Sequence, residues 1–98
     1  SFNIPKEPYK IALDADKVKF PLTLRTVKEG DRFRPFGMHG TRLISDYLTD
    51  RKRNLFDKRR QLVMEDATGN IVWLVGERTS DDCKVATETR QVLIIEII

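Results

Sequence analysis

The sequence predicts an α+β domain: a mostly antiparallel sheet unit with a short two-helix insert after the second strand. Three observations carry this. Apolar and polar residues alternate over VKFPLTLR (18–25), the period of a half-buried strand. Apolar residues then recur at helical spacing over 43–48, and strand texture returns from residue 61 onwards. Strands grouped towards both ends of the chain, with helices between them, indicate segregated rather than alternating packing.

Taken in order, SFNIPKEP (1–8) has two prolines and reads as a linker or arm, leaving 9–98 as a single domain. YKIALD (9–14) is a short strand. In 18–25, Val18, Phe20, Leu22 and Leu24 form the face expected to be buried, and Pro21 on the wet face suggests a sheet edge or a bulge. Gly30 to Gly40 is dense in turn residues. Thr41 is a candidate cap for a helix starting at Arg42, with Leu43, Ile44, Tyr47 and Leu48 on one face. Asn54, with Asp57 three residues on, looks like a second cap before LFDKRR. QLVMED and NIVWLVGE flank Ala67-Thr68-Gly69-Asn70, a hairpin signal. IVWLV is apolar on both faces, as in a central strand with Trp73 in the core. TSDD (79–82) is a polar turn or a single helical turn, and KVATETRQVLIIEII closes the sheet as one long or two short strands.

Composition narrows the function. Apolar residues make up 40% of 98 and charged residues 34%, which suits a soluble domain with one core. The single cysteine, Cys83, excludes an internal disulfide framework, fits a reducing, cytoplasmic setting, and reads as a small buried hydrophobe. No run is apolar for a membrane-spanning length. The chain starts at Ser1 and ends inside VLIIEII, which suggests a piece of a longer protein. His39 is the only histidine, and no Walker or dinucleotide glycine loop is present, so neither a metal site nor catalysis by this chain alone is expected.

Charge is uneven. Residues 25–60 carry eleven Lys or Arg against five Asp or Glu, while the rest carry seven against ten. A basic middle on an acidic frame points to an anionic partner. GDRFRPFGMHGTRLISDYL (30–48) surrounds glycines with Arg32, Arg34 and Arg42. Gly37-Met38-His39-Gly40 before a helix start could offer backbone N–H groups to a phosphate, as GXXG clamps do. In an extended segment, Arg32 and Arg34 share one face while Phe33 enters the core. The runs Arg51-Lys52-Arg53 and Lys58-Arg59-Arg60 add further cations. Each feature also has an ordinary explanation: Arg32 could pair with Asp31 or Asp46, the glycines could serve only turn geometry, and the basic runs could be solvated helix ends. Together they favour phosphate recognition; the alternative is a protein-interaction or interdomain docking module with a basic face.

The same residues carry a resemblance. Gly30-Asp31-Arg32-Phe33, Pro35, Gly37-Met38, Gly40, Arg42, Ser45-Asp46-Tyr47 and Lys52 resemble the signature of the C-terminal substrate-binding domain of bacterial tRNA(Ile)-lysidine synthetase. Further on, the Val-Trp strand, Gly76-x-Arg78, Ser80-Asp81 and Lys84-Val85 are similar to the family's end. The resemblance spans 22–98, with Arg42-Leu43 where many relatives have two lysines and Arg53-Asn54 where they have Ile-Pro. It implies a small β-sandwich-like unit with helices, similar to a domain of the phenylalanyl-tRNA synthetase β subunit. It also implies a parent ligase that uses ATP, with magnesium, to join lysine to the wobble cytidine of an isoleucine tRNA. The parent's SGGxDS-type loop and catalytic N-terminal domain are absent here, so no cofactor is expected in this chain. Its implied partners are the tRNA acceptor stem and that catalytic domain. The residues expected to meet RNA are Arg32, Arg34, Gly37, His39, Gly40, Arg42, Arg51, Lys52, Arg53 and Arg78.

Overall fold

The computed structural model describes residues 8–98, so all but the last residue of the expected arm lies outside them. The strands are β1 (Lys10–Asp14), β2 (Thr23–Thr26), β3 (Arg32–Phe33), β4 (Arg42–Leu43), β5 (Leu62–Glu65), β6 (Ile71–Leu74), β7 (Arg78–Thr79) and β8 (Val92–Glu96). Two helices, α1 (Ile44–Asp50) and α2 (Leu55–Arg60), fall between β4 and β5. All strand pairings are antiparallel: a four-stranded sheet in the order β2-β5-β6-β7, and two-stranded sheets β1-β8 and β3-β4. The fold is α+β, as expected.

The apolar run at β6 makes it the centre. Ile71, Val72, Trp73, Leu74 and Val75 are all buried, so both faces of this strand need cover. One cluster joins Val72, Trp73 and Val75 to Ile11 and Leu13 of β1, with Leu93 and Ile95 of β8 packed against it. The other joins Ile71 and Leu74 to Phe33 and to Ile44, Tyr47 and Leu48 of α1. Phe33 meets Tyr47 edge to face, with ring centroids 5.5 Å apart. Cys83 is fully buried in the first cluster, and burial pushes its thiol up to about 12, so it is a packing residue rather than a nucleophile.

The strand expected over 18–25 is shorter. Only Thr23–Thr26 pairs, at the edge of the sheet against β5; Val18 is buried, but Phe20 and Leu24 are exposed. The cause is Asp66, which lies at the β5–β6 turn. Its Oδ2 accepts from the Lys19 N–H at 3.2 Å, and the Lys19 carbonyl accepts from the Ala67 N–H at 2.8 Å. The turn thus captures residues that would otherwise extend β2. Asp66 Oδ1 also accepts from the Thr68 N–H, the Thr68 hydroxyl and the Asn70 N–H, which shapes the predicted hairpin around Gly69 at φ +87°.

The first helix also starts later than expected. Arg42 and Leu43 pair with Phe33 and Arg32 as β4, so Thr41 sits at a hairpin end and caps nothing. Leu43 stands at the helix N-cap without a side-chain cap, and the Ile44 N–H donates to the Asp31 carbonyl at 2.9 Å. Asn54 does cap α2, accepting from the Asp57 N–H at 2.8 Å. Residues 81–83 form one 3₁₀ turn capped by the Ser80 hydroxyl, and β8 is a single closing strand.

These carboxylates couple the fold to pH. Burial pushes Asp66 and Asp31 up, but hydrogen bonds outweigh it, from Thr68, Lys19 and Asn70 at the first and from Arg25 and Lys28 at the second. Both end below the usual carboxylate value. Their contribution is complete above the unfolded pKa and is lost as pH falls through the folded values. The thermal midpoint should therefore be flat above about pH 5 and drop below about pH 4. Asp66→Asn should lose about 2 kcal/mol at neutral pH and show a weaker acid dependence in thermal melts; an unchanged acid profile would assign the acid sensitivity elsewhere.

Candidate nucleic-acid interface

The β3–β4 hairpin sets the first side chains. Because Phe33 faces the core, its neighbour Arg32 faces solvent, where Nε and Nη2 lie 3.4 Å from the Thr41 hydroxyl and carbonyl. No carboxylate among the described residues pairs with Arg32. Neither Asp31 nor Asp46 holds it, because Asp31 accepts the fork of Arg25 at 2.9 and 3.2 Å. Across the hairpin, Arg42 pairs with Asp50 at the end of α1.

Arg34 leaves β3 in a different environment. Its Nη1 is 3.3 Å from Asp82 Oδ1, and its carbonyl accepts from the Asp81 N–H at 2.7 Å. Pro35 bridges to Ser80, so the loop after β3 is laced to the 3₁₀ turn. The extended-segment expectation holds for Arg32 and Phe33, whereas Arg34 is taken up by this lacing.

The glycine loop does not sit at a helix start. Gly37 has φ +83° and its N–H donates to Asp81 Oδ1 at 3.1 Å, while β4 intervenes before α1. That N–H is therefore occupied by one of the protein's own carboxylates. The Gly37 bond and then Lys84, 3.2 Å away, hold Asp81 below the usual carboxylate range. His39 and Gly40 are exposed at the tip of the loop. Arg78 closes the loop's other side: its Nη1 reaches the Phe36 carbonyl at 3.4 Å, and its guanidinium lies 5.8 Å from the centre of the Tyr47 ring.

The connection between the helices is organised by Glu77, a residue the motif reading passed over. Its side chain is 6% exposed and accepts from Arg51 Nε at 3.2 Å and Arg53 Nε at 2.8 Å. Both arginines remain about half exposed. Glu77 lies in a tight turn after β6, where Gly76 has φ +78°. Lys52, between the two arginines, adopts φ +61° and has no carboxylate partner among the described residues. A polar residue beside a glycine directly after a wholly apolar strand was the available signal for Glu77.

α2 buries none of its residues. Lys58 donates to the Thr49 hydroxyl, Arg60 lies 5.1 Å over the exposed Phe56 ring, and Arg59 is exposed. The expected cations thus divide into two groups. Arg34, Arg42, Arg51 and Arg53 are paired with acids, whereas Arg32, Lys52 and Arg78 are not; α2 adds Lys58, Arg59 and Arg60 to the second group. Among the described residues no cluster of His, Cys, Asp or Glu could hold a metal ion, and no helix is long and apolar enough to cross a membrane.

No protein-family model matches the chain. Curated relatives do. The chain is 44% identical over 97 residues, 99% of its length, to tRNA(Ile)-lysidine synthase of Parabacteroides distasonis. It is 42% identical over 97 residues to the tRNA(Ile)-lysidine synthase of Bacteroides thetaiotaomicron, and 38% over 79 residues to that of Bacillus subtilis. The chain spans only 22% of the length of the first two and 17% of the third. Among solved structures it superposes on the TILS C-terminal domain with a TM-score of 0.78 and 25% identity, over 97% of this chain and 75% of that one. An N-terminal fragment of the phenylalanyl-tRNA synthetase β-subunit from Pyrococcus horikoshii has the same fold, with a TM-score of 0.75 and 23% identity over 87% of this chain and 26% of that one. The chain corresponds, over nearly its whole length, to the C-terminal part of tRNA(Ile)-lysidine synthases and has the fold of the TILS C-terminal domain.

Proposed function

We propose that this domain binds tRNA for a tRNA(Ile)-lysidine synthase, gripping the acceptor stem while a separate catalytic domain acts at the wobble base. What supports this reading is the set of cations left without an acid partner, on a domain of a tRNA-modifying family. Arg32, Lys52, Arg78 and the α2 cations are the phosphate contacts in this proposal. His39 and Gly40 form the loop tip that lets a sugar–phosphate backbone come close. Joining lysine to cytidine with ATP and magnesium belongs to the parent enzyme's catalytic domain, which this domain would also contact.

A duplex stem of RNA suits such a surface. The major groove of A-form RNA is too deep and narrow for side chains, so recognition falls on phosphates, 2′-hydroxyls and overall shape. Guanidinium groups make bidentate, charge-assisted bonds to phosphate oxygens, which position the molecule and carry little sequence information. The paired arginines form a reserve. Asp82 and Asp50 are 44% and 62% exposed in their side chains, and surface ion pairs of this kind are worth at most about 1 kcal/mol. A phosphate can therefore replace either acid at low cost, freeing Arg34 or Arg42 for RNA.

If about three or four phosphates are neutralised, log affinity for tRNA should fall against log salt with a slope near −3. Fluorescence anisotropy over a salt series measures it, and a flat series would remove the electrostatic reading. Arg32→Glu should weaken tRNA binding by about tenfold, from the loss of a charge-assisted contact. Its melting temperature should not change, since Arg32 is exposed and joined only to Thr41. Asp50→Asn, which releases Arg42, should tighten binding a few-fold. Wild-type affinity in folded Arg32→Glu would overturn this placement of the interface.

A further inference from the structure

A concave site beside the basic run shares only Arg60 with these phosphate contacts. It has a volume of about 400 Å³, within the range of small-molecule sites. Leu62, Val75, Gly76 and Tyr9 line it together with Asp57 and Arg60 of α2. Tyr9 is placed by the backbone. Its carbonyl accepts from the Ile97 N–H at 2.9 Å at the start of β1, and its ring lies over Gly76, where a Cβ would come within 3.3 Å of the Tyr9 Cε1. The residue nevertheless stays 54% exposed. An aromatic ring seated on glycine but open to solvent is a stacking platform without a partner.

The charge balance says which ligand fits. Arg53, also at the site, is held by Glu77, so its charge is already answered. Arg60 and Asp57 then offer one set of donors and one set of acceptors, close to overall neutrality. A phosphate would meet the Asp57 carboxylate, unpaired among the described residues, which disfavours it. A nucleobase is neutral and flat and carries both donors and acceptors on its edge, so it matches a lining of one aromatic ring, aliphatic side chains and one group of each charge. A paired base enters such a site only at the cost of unpairing and unstacking, whereas unpaired ends and loops are read in this way.

We infer that this pocket takes one unpaired nucleobase of the bound RNA, stacked on Tyr9 with its edge facing Asp57 and Arg60. The inference rests on the tRNA-binding reading above and adds a single-stranded element to the duplex contact. Three hairpin RNA minihelices test it: one blunt, one with an unpaired cytidine-cytidine-adenosine 3′ extension, and one with an abasic extension of equal length. The base-bearing extension should bind the chain about tenfold more tightly than the blunt form, the scale of one stacked base. The abasic extension should give no such gain. Tyr9→Ala should remove the gain and Tyr9→Phe should keep it, with thermal melts confirming that both variants fold. Equal affinity for blunt and base-bearing minihelices, or for base-bearing and abasic ones, would overturn the pocket and leave the duplex reading standing. Failure to bind any of the three at low salt would overturn both readings. The wild-type comparison decides the matter even if Tyr9→Ala does not fold.

Discussion

A strand with no wet face governs this domain. β6 buries every residue from Ile71 to Leu74, so it must be covered on both sides. The β1–β8 pair covers one side, and α1 with the β3–β4 hairpin covers the other. Burying large aliphatic and aromatic side chains contributes about 1.5–3 kcal/mol each, which makes this double cover the main source of stability. It also fixes the geometry of the surface. The turn carrying Gly76 and Glu77 emerges directly from the end of β6 and leads into Arg78 of β7, and the loop after Phe33 emerges from the layer that packs on it. Arg34 and Arg78 are thus displayed next to the packed centre of the molecule rather than from independent loops.

The elements that could be read from the sequence are those whose causes are local. Asn54 reaches a backbone N–H three residues away, the 67–70 turn closes on itself, and IVWLV is apolar whatever surrounds it. The alternation over 18–25 is equally local but gave a strand that is too long. Its competitor is Asp66, separated by 47 residues from the Lys19 N–H that it captures. Thr41 failed as a cap for a similar reason. Its neighbours Arg42 and Leu43 pair back on Arg32 and Phe33, and a two-residue strand carries no periodicity to detect.

The site divides along the same line. The cations, the glycines and Phe33 between two arginines are visible in one stretch of sequence. Which arginine is answered by an acid is not, because Asp82 and Glu77 lie far along the chain from Arg34 and Arg51. These acids differ in kind. Asp82 and Asp50 are exposed and exchangeable, whereas the Glu77 side chain is buried and bridges two arginines. Breaking that bridge would leave a buried carboxylate without its counter-charges, so it anchors the link between the helices. The two types of pair look identical in composition and only burial separates them.

α2 is tied to the domain by a cap at one end and a lysine–threonine contact, and contributes nothing to either hydrophobic cluster. Substitutions at its outward positions, such as Leu55, Phe56 and Arg59, therefore leave the folding equilibrium almost untouched. Selection can vary what this helix presents to a partner independently of what keeps the domain folded. The architecture separates a packed mechanical frame from an adjustable surface element, so a change in what that surface presents can arise there in single steps, each compatible with a folded protein.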